Sequence, residues 1–85
     1  MITIRQLMDK IEWDNREDPY DYTFYYYDRI EKKLLAFAWS EIVKKDGLFV
    51  EVKIGEIIFP IPLHRIKEVL KKGKLVWSRK YVQKN

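Results

Sequence analysis

The run Tyr22-Thr23-Phe24-Tyr25-Tyr26-Tyr27-Asp28-Arg29-Ile30 constrains this chain more than any other stretch. Aromatic and β-branched residues favour strands, so Tyr22 to Ile30 predicts a strand. Successive strand residues point to opposite faces: Phe24, Tyr26 and Asp28 share one, Tyr25, Tyr27 and Arg29 the other. Both faces are aromatic, and neither is cheaply left to water. One must meet helices, while the other presents tyrosines on a sheet surface. A chain of 85 residues buries only ~60–65% of its unfolded surface. Its thirteen aromatics (three Trp, six Tyr, four Phe) exceed what such a core needs, and the surplus must be placed elsewhere.

The remaining elements arrange themselves around that strand. Ile4, Leu7, Met8 and Ile11 have helical spacing, with Thr3 and Gln6 supplying a capping box, so a helix runs from about Ile4 to Ile11. Trp13 is expected to fold back onto its apolar stripe. Asp14 to Pro19 reads as a polar loop, and Glu31-Lys32-Lys33 as a turn. Leu34 to Phe37 fits either a strand or a short helical piece. Trp39–Lys44 and Leu48–Lys53 predict a hairpin around Asp46-Gly47, and a second hairpin turns at Gly55 and ends at Pro60. Pro62 to Gly73 carries proline first, lysines last and glycine after them, the expected order for a second helix burying Leu63, Ile66, Val69 and Leu70. Leu75 to Tyr81 closes the chain as a strand, with Leu75, Trp77, Arg79 and Tyr81 on one face. The order α-β-β-β-β-α-β predicts an α+β fold: an antiparallel sheet of four or five strands with two short helices on one face, in one domain spanning 1–85.

Several functions are excluded or left without support. The absence of cysteine removes disulfides, thiolate zinc sites and thiol catalysis. No apolar run approaches the ~20 residues of a membrane span, and the amino terminus lacks a signal peptide's basic-then-apolar order; a cytoplasmic protein without membrane contact is expected. Asp9, Asp14, Asp18, Asp21 and Asp28 lack metal-loop spacing, and no Gly-rich phosphate loop occurs, so neither metal nor cofactor is expected. The net charge of +4 hides a gradient. Residues 1–31 hold four Lys/Arg against eight Asp/Glu, whereas residues 32–85 hold thirteen against five. Such asymmetry fits either an anionic partner, nucleic acid first, or a lysine-rich solvated surface.

The second predicted helix supplies the sharpest site. A helix start carries about half a positive charge and free N–H groups, yet His64 and Arg65 fall in this first turn. Two such side chains are unfavourable there unless an anion joins them, which predicts a phosphate site. The alternative is that Arg65 turns away to pair with an acid while His64 bonds a carbonyl. Arg29 and Arg79 would rim an open sheet face on which Tyr25 and Tyr27 stack unpaired bases; alternatively those tyrosines pack under a loop. Trp77 is either core or site wall. With one histidine, a two-histidine phosphodiester mechanism cannot be built in one chain. His64 with Tyr27 or a lysine could still exchange protons with a phosphodiester.

Four blocks carry a resemblance: Ile11-Glu12-Trp13-Asp14, Tyr27-Asp28-Arg29, Ile61-Pro62-Leu63-His64-Arg65-Ile66 and Val76-Trp77-Ser78-Arg79. In order and spacing, over nearly the whole chain, they resemble a small archaeal family of uncharacterised proteins, the RNA cyclic group end recognition domain. The resemblance implies RNA binding at ends carrying a phosphate or cyclic phosphate, with His64 and Arg65 as phosphate contacts and Arg29 and Arg79 as supporting cations. Trp13, Tyr27 and Trp77 are the implied stacking or wall residues. It also implies RNA-processing enzymes as partners, since the domain occurs fused to them. Ser78 departs from the family's frequent acidic residue at that position and leaves Arg79 without an adjacent acid. A phosphodiester-processing enzyme built on His64, or a protein-interaction module in RNA processing, is the alternative function.

Overall fold

The helix α1 spans Ile4–Trp13, and its start is built as the sequence specifies. The Thr3 hydroxyl accepts the Gln6 N–H at 3.1 Å, and the Gln6 side chain accepts the Thr3 N–H at 2.9 Å. The computed structural model describes residues 2–79. Seven strands follow: β1 (Tyr22–Asp28), β2 (Lys33–Ala38), β3 (Ile42–Lys45), β4 (Phe49–Ile54), β5 (Ile57–Pro62), β6 (Ile66–Lys71) and β7 (Lys74–Ser78). They form two antiparallel sheets, one of four strands in the order β2-β1-β6-β7 and one of three in the order β3-β4-β5. The α+β class holds, but the single sheet and the second helix do not.

The predicted helix over Pro62–Gly73 is instead a 3-10 turn, Leu63–Arg65, followed by β6 and a hairpin into β7. Strict alternation cannot bury Ile66 and Val69 together, which is why a spacing of three reads as helical. The sheet reconciles the two with a bulge. Tyr26 pairs with Ile66 and Tyr25 with Glu68, leaving Lys67 as an extra residue that resets the alternation. Lys72 and Gly73 both have positive φ, 51° and 82°, as a tight hairpin turn demands. The glycine that resembled a helix cap therefore turns a hairpin.

Other boundaries move less. The ambiguous segment 34–37 is part of β2. Trp39–Glu41 is a second 3-10 turn preceding β3, not the first residues of a strand. Pro60 does not end its strand: β5 continues to Pro62, because as an edge strand it has a pairing partner on one side only. Arg29 lies in the β1–β2 turn, beyond the end of the strand. The predicted strand position Tyr81 lies outside the described residues. Trp13 does not fold back and is 76% exposed. Two residues past Ile11, it lies about 200° further round the helix, away from the buried stripe.

One core joins everything. Ile4, Leu7, Met8 and Ile11 of α1 meet Phe24, Phe37, Ile66, Val69 and Trp77 of the larger sheet and Val50, Val52 and Ile61 of the smaller. Phe24 stacks on Phe37 at 5.2 Å between ring centroids. At the edge of the core, the phenol of the buried Tyr22 donates to Glu17 at 2.5 Å and Lys71 donates to the same oxygen at 3.0 Å, tying the acidic loop to β1 and β6. The Tyr22 hydrogen bond first, then Lys71, holds the Glu17 carboxyl below its ordinary 4.5.

Two outcomes follow from this packing. Phe24→Ala removes a fully buried ring and should lower unfolding free energy by about 3–5 kcal/mol in urea titration; a loss under about 1 kcal/mol would contradict the assigned core. A carboxyl whose pKa is lower folded than unfolded adds stability above the unfolded value, and that stability is lost as pH falls through the folded value. The wild type should therefore lose thermal stability on acidification below roughly pH 5, and Glu17→Gln should flatten that slope. Parallel slopes would show that Glu17 is not the linked group.

Candidate functional site

Leu63–Arg65 is where the chain leaves the three-stranded sheet and enters the four-stranded one. Pro62, at φ −60°, sets its approach. The Leu63 side chain is buried, and its N–H donates to the Leu48 carbonyl at 2.9 Å. Arg79 holds the turn from the other side. Its Nε donates to the Ile66 carbonyl at 3.1 Å and its Nη2 to the Leu63 carbonyl at 3.0 Å, while its own N–H donates to Lys67 at 2.8 Å. The guanidinium lies over the Trp77 ring, 5.3 Å from the centroid. Trp77 in turn donates its indole N–H to the Ile2 carbonyl at 2.8 Å. A planar fork suits this bracket because it donates in two directions at once.

The bracketed turn forms one wall of a groove of about 340 Å³. Arg65 comes from the turn, Phe59 to Pro62 from β5, and Tyr26, Tyr27, Asp28, Ile30 and Glu31 from the end of β1 and its turn. Tyr27 is 38% exposed and Phe59 41%. Burial, then the Asp28 and Glu41 carboxylates, pushes the Tyr26 phenol up, so it stands in the groove as a neutral donor. Among the described residues, no ion pair or hydrogen bond engages the side chains of Arg29, His64 or Arg65, although the Lys67 ammonium donates to the His64 backbone carbonyl at 3.3 Å. A smaller cavity of about 180 Å³ lies beside the β3–β4 loop, lined by Arg5, Asp9, Lys45 and Asp46. Its Lys45 is already ion-paired with Glu12 and Asp9, so its charges are balanced from within. The larger groove combines an uncommitted guanidinium with aromatic walls, and it is the better candidate.

A family model described as the MJ1316 RNA cyclic group end recognition domain matches residues 1–79, a span that includes the whole groove and Arg79. The chain belongs to this family. A UPF0248 protein from the archaeon Metallosphaera sedula is 30% identical over 78 residues, covering 92% of this chain and 94% of that relative. No solved structure matches the chain.

In this cyclic group end recognition domain, the residues singled out from sequence take different places. Arg65 and Tyr27 share the groove. His64 is exposed on the same turn, and Arg29 is exposed in the turn whose neighbours Asp28, Ile30 and Glu31 line the groove. Arg79 lies beneath the turn rather than in the groove, with its side chain committed to carbonyls. Trp77 is 7% exposed and belongs to the core, and Trp13 stands at the end of α1 outside the groove lining. The helix N-terminus expected behind His64 and Arg65 does not exist. The two side chains sit on a three-residue turn, where no helix dipole gathers an anion. Tyr26, Asp28, Glu31, Phe59 and Pro62 are groove residues that the sequence reading passed over. The block Tyr27-Asp28-Arg29 was the available signal for one wall, but the pairing of that wall with β5 depends on two sheets meeting.

Arg79→Ala should remove both guanidinium bonds and destabilise the domain by about 2–3 kcal/mol in chemical unfolding. Arg79→Lys, which cannot reproduce the fork, should recover only part of this. Full recovery by lysine would show that charge, not the two-directional bracket, holds the turn.

Proposed function

We propose that this domain is an RNA-binding module that receives a phosphorylated or cyclic-phosphate RNA end in the groove beside Arg65. The observation that carries the reading is the uncommitted Arg65 guanidinium, fixed on a clamped turn and facing an aromatic-walled groove. A guanidinium offers two parallel N–H donors to a phosphate, and because the turn beneath it is already clamped, only the side chain itself is left to be ordered on binding. Tyr27 and Phe59 present ring surface for the terminal base, and base–aromatic stacking adds about 1–3 kcal/mol per base.

His64 and Arg29 stand on the two turns bordering the groove, where they meet phosphates upstream of the end. Arg79 acts as a positioning residue through the turn, and Trp77 positions Arg79. Family membership supports RNA cyclic ends as the ligand class.

The reading predicts that Arg65→Ala lowers affinity for a cyclic-phosphate oligoribonucleotide roughly tenfold or more in fluorescence anisotropy while its melting temperature stays near wild type. Wild-type affinity should also fall steeply with salt, as counterion release requires. Equal binding of cyclic-phosphate and plain 3′-hydroxyl ends would remove the end-reading function.

A further inference from the structure

The groove holds two carboxylates that a phosphate-binding role leaves unused. Asp28 and Glu31 line it from the β1–β2 turn, whereas Arg65 comes from the β5–β6 turn, and none of the three pairs with another within 4.0 Å among the described residues. Asp28 accepts long bonds of 3.4 Å from the Ile30 and Glu31 N–H groups. Two carboxylate oxygens offer about four acceptor sites, so about half of its capacity is open. Glu31 has no side-chain partner among the described residues. The Asp28 charge is felt inside the groove, since it contributes to raising the Tyr26 phenol. A wall of this kind repels acceptors and rewards N–H donors.

The chemistry of a cyclic end narrows what those donors can be. In a 2′,3′-cyclic phosphate both ribose oxygens are esterified, and the 5′ oxygen joins the preceding nucleotide. The terminal nucleoside then has no hydroxyl left to donate, and its only N–H groups are on the base. We infer that Asp28 and Glu31 read the Watson–Crick edge of the terminal base, making this groove selective for the nucleotide at the end as well as for its phosphate. This rests on the reading of the groove as the RNA-end site.

The ranking follows from donor geometry. Guanine presents N1–H and N2–H side by side and can give both to one carboxylate. Adenine and cytosine give one amino group beside a ring acceptor. Uracil offers a single N3–H flanked by two carbonyls that face the carboxylates unfavourably. Guanine should bind best and uracil worst, with Tyr27 stacking indifferent to the choice.

The test uses the full chain and four 5′-fluorescein oligoribonucleotides, identical except for a terminal G, A, C or U, each carrying a 2′,3′-cyclic phosphate. Anisotropy should show G about tenfold tighter than U, the discrimination expected of one bidentate pair. Glu31→Gln, and the Asp28→Asn/Glu31→Gln double variant, should compress that ratio to roughly threefold or less while melting as folded proteins. Equal affinity for the four ends, or a wild-type ratio retained in the double variant, would overturn the inference and leave cyclic-end binding standing. If none of the four binds better than its 3′-hydroxyl counterpart, the groove is not an end site and both readings fall.

Discussion

One guanidinium organises the functional end of this molecule. Arg79 joins the Leu63 and Ile66 carbonyls, on either side of the turn that passes from one sheet to the other, and it rests on a tryptophan that is itself anchored to the Ile2 backbone. A three-residue crossing between sheets has few bonds of its own. The bracket supplies what the turn lacks and so fixes the base from which Arg65 projects. The other crossing, at Trp39–Glu41, is secured differently. There the Glu41 carboxylate accepts the Ala38 N–H at 2.8 Å, and Trp39 leans on Phe24, 6.1 Å between centroids. With both crossings pinned, the inward residues of the two sheets share a single core, and the gap left at one end becomes the groove.

The charge gradient along the chain has a partly structural explanation. Lys45 of β3 pairs with Glu12 and Asp9 of α1 and stands over the Trp39 ring, Lys71 pairs with Glu17, and Lys72 approaches Asp21 at 3.9 Å. The acidic first third and the basic remainder are therefore stitched together by the fold, and part of the asymmetry goes into internal contacts. Around the groove the charges are mixed: Arg65 comes from the β5–β6 turn, with His64 beside it, and Asp28, Arg29 and Glu31 come from the β1–β2 turn. A site that offers both a cation and carboxylates suits a nucleotide, which brings an anion and a set of N–H donors together.

Local signals in the sequence were legible where a residue type has one structural use. Thr3 and Gln6 make the capping box, the tyrosine run is a strand, and Gly55 turns its hairpin with φ 65°. The reading failed where one pattern serves two structures. Proline, lysines and glycine frame a helix as readily as an edge strand and a hairpin, and Ile66 and Val69 reached the core together only because Lys67 bulges out of register. The expected helix start pointed to His64 and Arg65 and the strand face to Tyr27, but what brings Arg65 and Tyr27 into one groove is the meeting of two sheets. Arg79 was singled out as a cation, yet its fork is turned to carbonyls, and no feature of the sequence alone distinguishes a clamping arginine from a binding one. The carboxylates were invisible for a similar reason: Asp28 was read as a strand neighbour of Arg29, and only the folded turn brings Asp28 and Glu31 to face β5.

Amide and side-chain NMR shifts test most directly where the domain holds an RNA end. Titration of the isotopically labelled domain with a short oligoribonucleotide ending in a 2′,3′-cyclic phosphate should move the amides of Tyr26 to Glu31 and of His64 to Lys67 most, together with the Arg79 Nε–H that supports the turn. Shifts confined to α1 and the β3–β4 loop around the smaller cavity, with those resonances unmoved, would show that the RNA end is held elsewhere.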